Sequence, residues 1–270
     1  MVERRIAALI PVCLLIQACP PRLPVDFGKA GEAKSPAELL KRIDLAETTV
    51  VGVKGDGKLY VDTPRGKGSV AIFVGVQDPA SVHLEQLDFF GKPQGVLVTD
   101  GKQFGLYLAE ENRYYRGPAS AANLARFLPV VLPPEELAAL LLGRVPRMPA
   151  ESQELRFDDQ QGLYVLTLHR GAATQTLVVQ PPSHRVIKSV VQGVRAYDVE
   201  LGELTAFGGV TLPKKLILDV AQAKTHVELT YKDVTVNEPP DASLFDPTPP
   251  EGMPVVEVDE KGVPREAPKP

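Results

Sequence analysis

The sequence predicts a mainly β, α+β fold: an open antiparallel β-barrel of about eleven or more strands roofed by a helical lid. Three observations lead there. Short apolar runs recur from Val50 to Val236, separated by Gly, Pro and Asn/Asp turn residues. Runs this close together form antiparallel neighbours, because a parallel pair needs a long crossover. A Leu-rich helix pair interrupts the series midway, and a sheet this large curls around such a layer.

In chain order, the first feature is a leader. Arg4 and Arg5 precede an apolar run from Ile6 to Ile16, and Ala18 is the small residue before Cys19. The run is shorter than the roughly 20 residues of a membrane-spanning helix, and Pro11 interrupts it. Ile16-Gln17-Ala18-Cys19 resembles the lipobox of bacterial lipoproteins, which implies acylation of Cys19 and removal of residues 1–18. The bland alternative is an ordinary signal peptide cut near Ala18. Cys13 leaves with the leader, so the mature chain has no free thiol and its core must hold the fold. Residues 19–34, rich in Pro, Gly and Ala, read as a lipidated tether. A single domain over 35–258 follows, and 259–270 read as a disordered tail.

The domain opens at Ser35-Pro36-Ala37-Glu38, a capping box with Pro at the first helical position. Leu39, Leu40 and Ile43 form the apolar stripe of a helix ending near Leu45. Strand signals follow at Val50–Val61, Ser69–Val76, Leu84–Leu87, Val96–Val98, Phe104–Leu108 and Arg113–Tyr115. In the second of these, Val70, Ile72, Val74 and Val76 face one way and Ala71 and Phe73 the other, so both faces should be covered. The helix pair is expected at about Pro118–Phe127 and from Pro133-Pro134 to a C-cap at Gly143. Strands resume at 154–157, 164–169, 176–180, 186–191, 197–206, 212–220 and 225–236. In the last, Val227, Leu229 and Tyr231 lie on one parity and Val234 and Val236 on the other. A bulge near Lys232-Asp233 reconciles them.

Several function classes fare poorly. Formal net charge is −4, and no basic cluster exceeds Lys214-Lys215, which argues against nucleic acid. His83, His169, His184 and His226 lack metal-ligand spacing, no nucleophile elbow or phosphate loop is present, and no cofactor is implied. The expectation is a protein that is not an enzyme.

The element order, with four local matches, resembles the bacterial lipoprotein-sorting receptors and carriers, LolB and LolA. The matches are Leu124–Leu128 through Leu132-Pro133-Pro134 to Leu141-Leu142-Gly143; Leu87-Asp88-Phe89-Phe90-Gly91; Phe207–Pro213; and Ser243-Leu244-Phe245 with Pro249–Met253. The receptors tend to carry Trp in the second strand, and this chain has 0 Trp. The resemblance implies a half-barrel whose apolar cavity accepts the acyl chains of lipoproteins crossing the periplasm. It also implies a partner in a soluble LolA-like carrier. Pro20 after the anchor, in place of Asp, favours the outer membrane.

An acyl chain of roughly sixteen carbons, each methylene costing about 0.8 kcal/mol in water, needs a deep apolar container. The candidate lining is Ile72, Phe73, Val74, Leu97, Leu106, Leu166, Leu168, Val178, Leu216, Leu218 and Leu229, and the lid is Leu124, Phe127, Leu137, Leu140 and Leu141. Taken singly, each is better explained by a plain core, and only the set in a curled sheet points to a cavity; the sequence leaves open which parity faces inward. Phe90 is expected at a membrane-touching hairpin tip; Phe89 is the second candidate there, although packing inward or under the hairpin is the favoured reading for it. Two further readings stay open: a structural lipoprotein docking a protein partner, and a carrier of a free lipid or glycolipid.

Overall fold

The computed structural model describes residues 24–239 and 241–265, so the leader and Cys19 lie outside the described residues. Helix α1 (Pro36–Glu47) begins where the capping signal places it. Ser35 Oγ accepts the Glu38 N–H at 3.2 Å, with Pro36 in the first turn. Glu38 reaches back one residue further than a standard box, accepting from Lys34 N–H at 2.9 Å. The helix buries Leu39 and Ile43 and runs two residues past Leu45.

Six strands form an antiparallel meander: β1 (Gly52–Thr63), β2 (Gly66–Gln77), β3 (Ser81–Leu87), β4 (Pro93–Thr99), β5 (Gln103–Leu108) and β6 (Arg113–Pro118). After α2 (Ala121–Leu124) and α3 (Pro134–Leu141), a second meander follows: β7 (Ser152–Asp158), β8 (Leu163–Arg170), β9 (Ala173–Gln180), β10 (Arg185–Gln192), β11 (Tyr197–Phe207), β12 (Val210–Val220) and β13 (Thr225–Val236). β1 pairs with β13, which fuses the two meanders into one sheet. β14 (Val255–Glu257), which has no clear sequence signal, adds in parallel beside β6. The 14-stranded sheet stays open, with β14 and β7 at its two edges.

The bulge expected at Lys232-Asp233 sits on the β1–β13 seam. Gly55 pairs with Val234 and Gly57 with Tyr231, so Asp56 alone opposes two residues. Val227, Leu229 and Tyr231 are buried inward, and Val234 and Val236 return to pack against the same core. Gly55 makes this crossing feasible: at φ +154°, an added Cβ would lie 2.1 Å from the Asp233 carbonyl oxygen.

Three expectations need correction. The first lid helix was expected over about 118–127, but regular α-helix covers only Ala121–Leu124. It tightens into turns through Phe127 and Leu128 before Pro129 removes the next donor. The tether reading fails for the described part of 19–34. Phe27 packs 5.0 Å from the Phe157 ring and 5.9 Å from Tyr164, and Ala33 N–H donates to Tyr164 Oη at 2.7 Å. The tail reading fails through Arg265. Asn123 Nδ2 donates to the Asp259 carbonyl at 2.9 Å, Ser120 Oγ to that of Glu260 at 2.6 Å, and Arg126 to that of Gly262. These contacts strap residues 258–262 over α2, with Val258 buried.

Gly55→Ala should cost roughly 3 kcal/mol or more of unfolding free energy, at the severe end for a single substitution. Gly68→Ala, whose Cβ meets nothing within 4 Å, should stay within about 0.5 kcal/mol. Urea denaturation of both variants checks the seam; equal losses would show that Gly55 is not special.

Candidate functional site

The lid docks on the inner face of the sheet through a few specific contacts. Tyr231 Oη, fully buried, donates to the Leu141 carbonyl at 2.7 Å, and burial pushes its phenol pKa up. Beyond Leu142, Gly143 at φ +70° closes α3 in a Schellman motif. Its N–H donates to the Leu140 carbonyl and that of Arg144 to the Ala139 carbonyl, both at 2.9 Å. A Cβ on Gly143 would stand 2.4 Å from Pro213 Cδ, so the helix end and the Leu212-Pro213 segment interlock.

Beneath this lid, Ile72, Leu216, Leu218 and Leu229 from the sheet meet Leu137, Leu140 and Leu141 from α3 around an apolar void. Its volume is about 40 Å³. That admits at most a few water molecules, whereas sites for organic ligands take about 300–1,000 Å³. Among the described residues the deep hollow expected under the lid is therefore absent: leucines from the lid and the sheet fill the space. Val74, Leu97, Leu106, Leu166 and Leu168 are buried on the same inner face, in the packed core outside the void, and so is Leu124 of the lid. Phe127 is partly buried against that core.

Phe73 and Val178 do not face inward. Phe73 pairs with Glu85 across β3 and lies edge-on to His83, 5.7 Å between ring centroids, on the outer face. That face is apolar because a 3-10 turn, Ala242–Phe245, covers it. Leu244 overlies Gly75, and its carbonyl meets His83 Nδ1 at 2.8 Å. Val178 pairs with Val165 and Lys188, also outward.

The sequence reading missed the link between the two lid helices. Val130 and Leu132 project into the core and line the void, and Val131 is exposed. The signal was present as an apolar triplet between Pro129 and Pro133. On its other side the same link borders an open groove of about 450 Å³, shared with Val194, Tyr197, Leu218 and Val220. The groove continues past Val194, Arg195 and Tyr197 into a second recess of about 330 Å³ against Pro146–Pro149, Arg170 and Gln175. Gln175, fully buried, shapes that recess. It donates to the Pro146 carbonyl at 2.8 Å and to Ser189 Oγ at 3.0 Å, and accepts from Met148 N–H at 2.8 Å.

The hairpins β10–β11 and β12–β13 that border this groove lie at the same rim as the β3–β4 hairpin, since alternate turns of a meander share an end. There Phe89 and Phe90 are 97% and 83% exposed and stand edge-on, 5.5 Å apart. Phe89 is thus not inward. Asp88 builds the tip: its Oδ1 accepts the N–H groups of Phe90 and Lys92, each at 2.8 Å, and Gly91 takes φ +76°. The N-terminal segment lies at the opposite rim, with Val25 against Gly162 and Gly28 against Pro182.

A polar cluster without sequence signal closes the far end of α1. Glu47 is 6% exposed with Oε1 unpartnered, and Arg147 Nη2 stands 3.9 Å from Oε2. Burial raises its carboxyl pKa to about 7, opposed by Arg147, Arg144 and Arg185. Among the described residues no group of His, Cys, Asp and Glu has metal-binding geometry, and no helix is long and apolar enough to cross a membrane.

No protein-family model and no curated protein sequence matches the chain. Solved structures do. A LolA superfamily protein from Nitrosomonas europaea superposes with a TM-score of 0.53 at 14% identity, covering 79% of this chain and 98% of that one. A DUF1329 family protein from Desulfovibrio piger gives 0.55 at 9% identity, covering 77% and 95%. A domain from Vibrio parahaemolyticus, described as an outer membrane lipoprotein-sorting protein, gives 0.50 at 9%, again over 77% and 95%. The chain has the LolA-like fold.

Glu47 yields a pH test. Its folded pKa of about 7 lies above the ordinary 4.5, so the native state holds the extra proton between those values and stability falls as pH rises through them. Glu47→Gln should gain up to about 3 kcal/mol at pH 8 relative to wild type, and little at pH 4.5. Urea titrations at the two pH values read the difference; a gain independent of pH would place the carboxyl pKa near normal.

Proposed function

We propose that this LolA-like protein is a lipid-anchored envelope protein that takes up acyl chains at the rim groove and helps place lipoproteins in the outer membrane. The observation that carries the reading is the position of Val130 and Leu132. Val130 and Leu132 border both a wholly apolar void under the lid and the groove beside it, and Leu218 of β12 is the one sheet residue that lines both. Swinging them outward joins the two spaces. Burial of such a side chain contributes about 1.5–3 kcal/mol, so opening the link costs about 3–6 kcal/mol. An entering tail regains about 0.8 kcal/mol per methylene, and roughly four to eight methylenes offset the opening. The longer chains of lipoproteins and lipids then bind with free energy to spare. The filled interior is in this reading the empty state, with the lid's own leucines occupying the place of the cargo.

The fold and the neighbour described as a lipoprotein-sorting protein support this assignment, and the leader read at Cys19 supplies the anchor. Catalysis has no part in it. The paired phenylalanines are a release tip, placed at the groove's rim. The N-terminal segment leaves from the other rim, and the six residue steps from Cys19 to Val25 reach at most about 20 Å. The anchor and the tip therefore meet one bilayer when the domain lies with its strands along the surface. A tip held away from that bilayer would instead favour a protein partner, such as a soluble LolA-like carrier.

Calorimetry with saturated fatty acids of increasing length should show negligible binding below about eight carbons and a steep rise beyond it. Mass spectrometry of lipids extracted from the native protein should find long acyl chains. Length-independent affinity would remove the buried-chain reading. Phe90→Glu should fold normally yet slow lipoprotein delivery to reconstituted membranes and weaken vesicle association, since one inserted Phe contributes about 1.5–3 kcal/mol. Delivery at the wild-type rate would leave the tip without a membrane role.

A further inference from the structure

The rim groove is chemically two-sided. Its larger part, beside the 129–132 link, is walled by Val130, Leu132, Val194, Leu218 and Val220. Its smaller part is walled by Arg147, Arg170 and Arg195, with Glu136 the sole carboxylate among its lining residues. The two parts share Val194, Arg195 and Tyr197, so one elongated ligand spans both. We propose that the groove is an amphiphile site: the tail enters under the link, and an anionic headgroup sits between Arg170 and Arg195.

The arginines are not equivalent. Arg147 is already held by Asp44, with Glu47 nearby, which leaves it little to offer a ligand. Arg170 has no carboxylate within 4 Å among the described residues, and it is exposed at the recess. Arg195 stands on the β10–β11 hairpin and reaches Glu136 of α3 with Nη2 at 3.3 Å, where its side chain remains 58% exposed. Glu136 thus occupies the anion's place, and a headgroup carboxylate or phosphate competes with it for the guanidinium. The chain carries a net charge of −4, so its overall field repels anions. A preference for anionic amphiphiles would therefore have to arise locally. The recess and the apolar groove each fall within the usual size range of ligand sites, about 300–1,000 Å³.

This inference rests on the acyl-chain reading, and the test separates the two. Dodecyl phosphate, dodecyl maltoside and dodecyltrimethylammonium, each below its micelle-forming concentration, are titrated into the purified protein by calorimetry. The phosphate should bind several-fold more tightly than the maltoside, and the ammonium most weakly. Arg170→Ala and Arg195→Ala should each lower the phosphate-to-maltoside ratio by roughly two- to fivefold, the factor for an exposed ion pair. Glu136→Gln should raise that ratio, an outcome that a misfolded variant cannot produce. Equal affinity for the three amphiphiles, or a ratio indifferent to all three substitutions, overturns the headgroup site and leaves the tail site standing. Failure of all three to bind overturns both.

Discussion

The molecule depends on the seam between β1 and β13, which joins segments from opposite ends of the domain. Without it the chain is two separate meanders, each with an exposed edge and neither wide enough to wrap a lid. The seam is long and carries its own kink, because Asp56 faces both Lys232 and Asp233. That extra residue turns the strand so that Leu229 and Tyr231 meet α3 while Val234 and Val236 still reach the core. The bulge thereby sets the lid's position, since Tyr231 is the residue that hydrogen-bonds the end of α3. Gly55 and Gly57 recur at this crossing because backbone from β13 comes too close for side chains: an added Cβ at Gly57 would lie 3.0 Å from the Thr230 carbonyl oxygen.

From the seam outward, rigidity is unevenly distributed. The C-terminal end of α3 is fixed by Tyr231, by Pro213 and by its Schellman turn. The strap at 258–262 fixes α2 through three side chains. Between them, the link 129–132 interrupts helical hydrogen bonding at Pro129 and meets Pro133 at its other end, so few backbone hydrogen bonds tie it down. Its attachment is mainly the burial of Val130 and Leu132. A lid clamped at both ends and held in the middle by two side chains is least firmly attached at the link.

Much of this architecture was legible in local sequence because local chemistry determines it. The Ser35 cap, the Gly143 stop and the parity change before Val234 each follow from a few neighbouring residues and were read correctly. The orientation of Phe73 and Val178 was not, since an alternating strand gives two faces without saying which is inside. Phe73 misled because the distant Leu244-Phe245 turn makes an outer face apolar. The docking of 259–265 on α2 escaped because Asn123, Ser120 and Arg126 bind main-chain carbonyls, which leave no mark in the sequence. The Glu47 cluster gathers residues far apart in the chain. Filled or hollow is a question of side-chain volumes across the whole interior, and no short motif records it.

For the proposed carrier role, the filled interior changes how binding must work. A permanent hollow would bind a tail at no cost in lid burial, and would expose an apolar wall to water whenever empty. Here the void is small and lined by apolar side chains, so in the proposed carrier the unloaded state keeps its acyl-binding surface packed in the core. The cost reappears as the opening of the link, which sets a minimum tail length and weakens short-chain competitors by more than it weakens long ones. In the proposed cycle the same cost favours release, because the lid's leucines reclaim the space as a tail withdraws. Groove, link and phenylalanine tip all lie at one rim, so in the proposed carrier a tail drawn out under Val130 and Leu132 leaves at the rim that also carries Phe89 and Phe90. In the proposed cycle, uptake and release then share one opening.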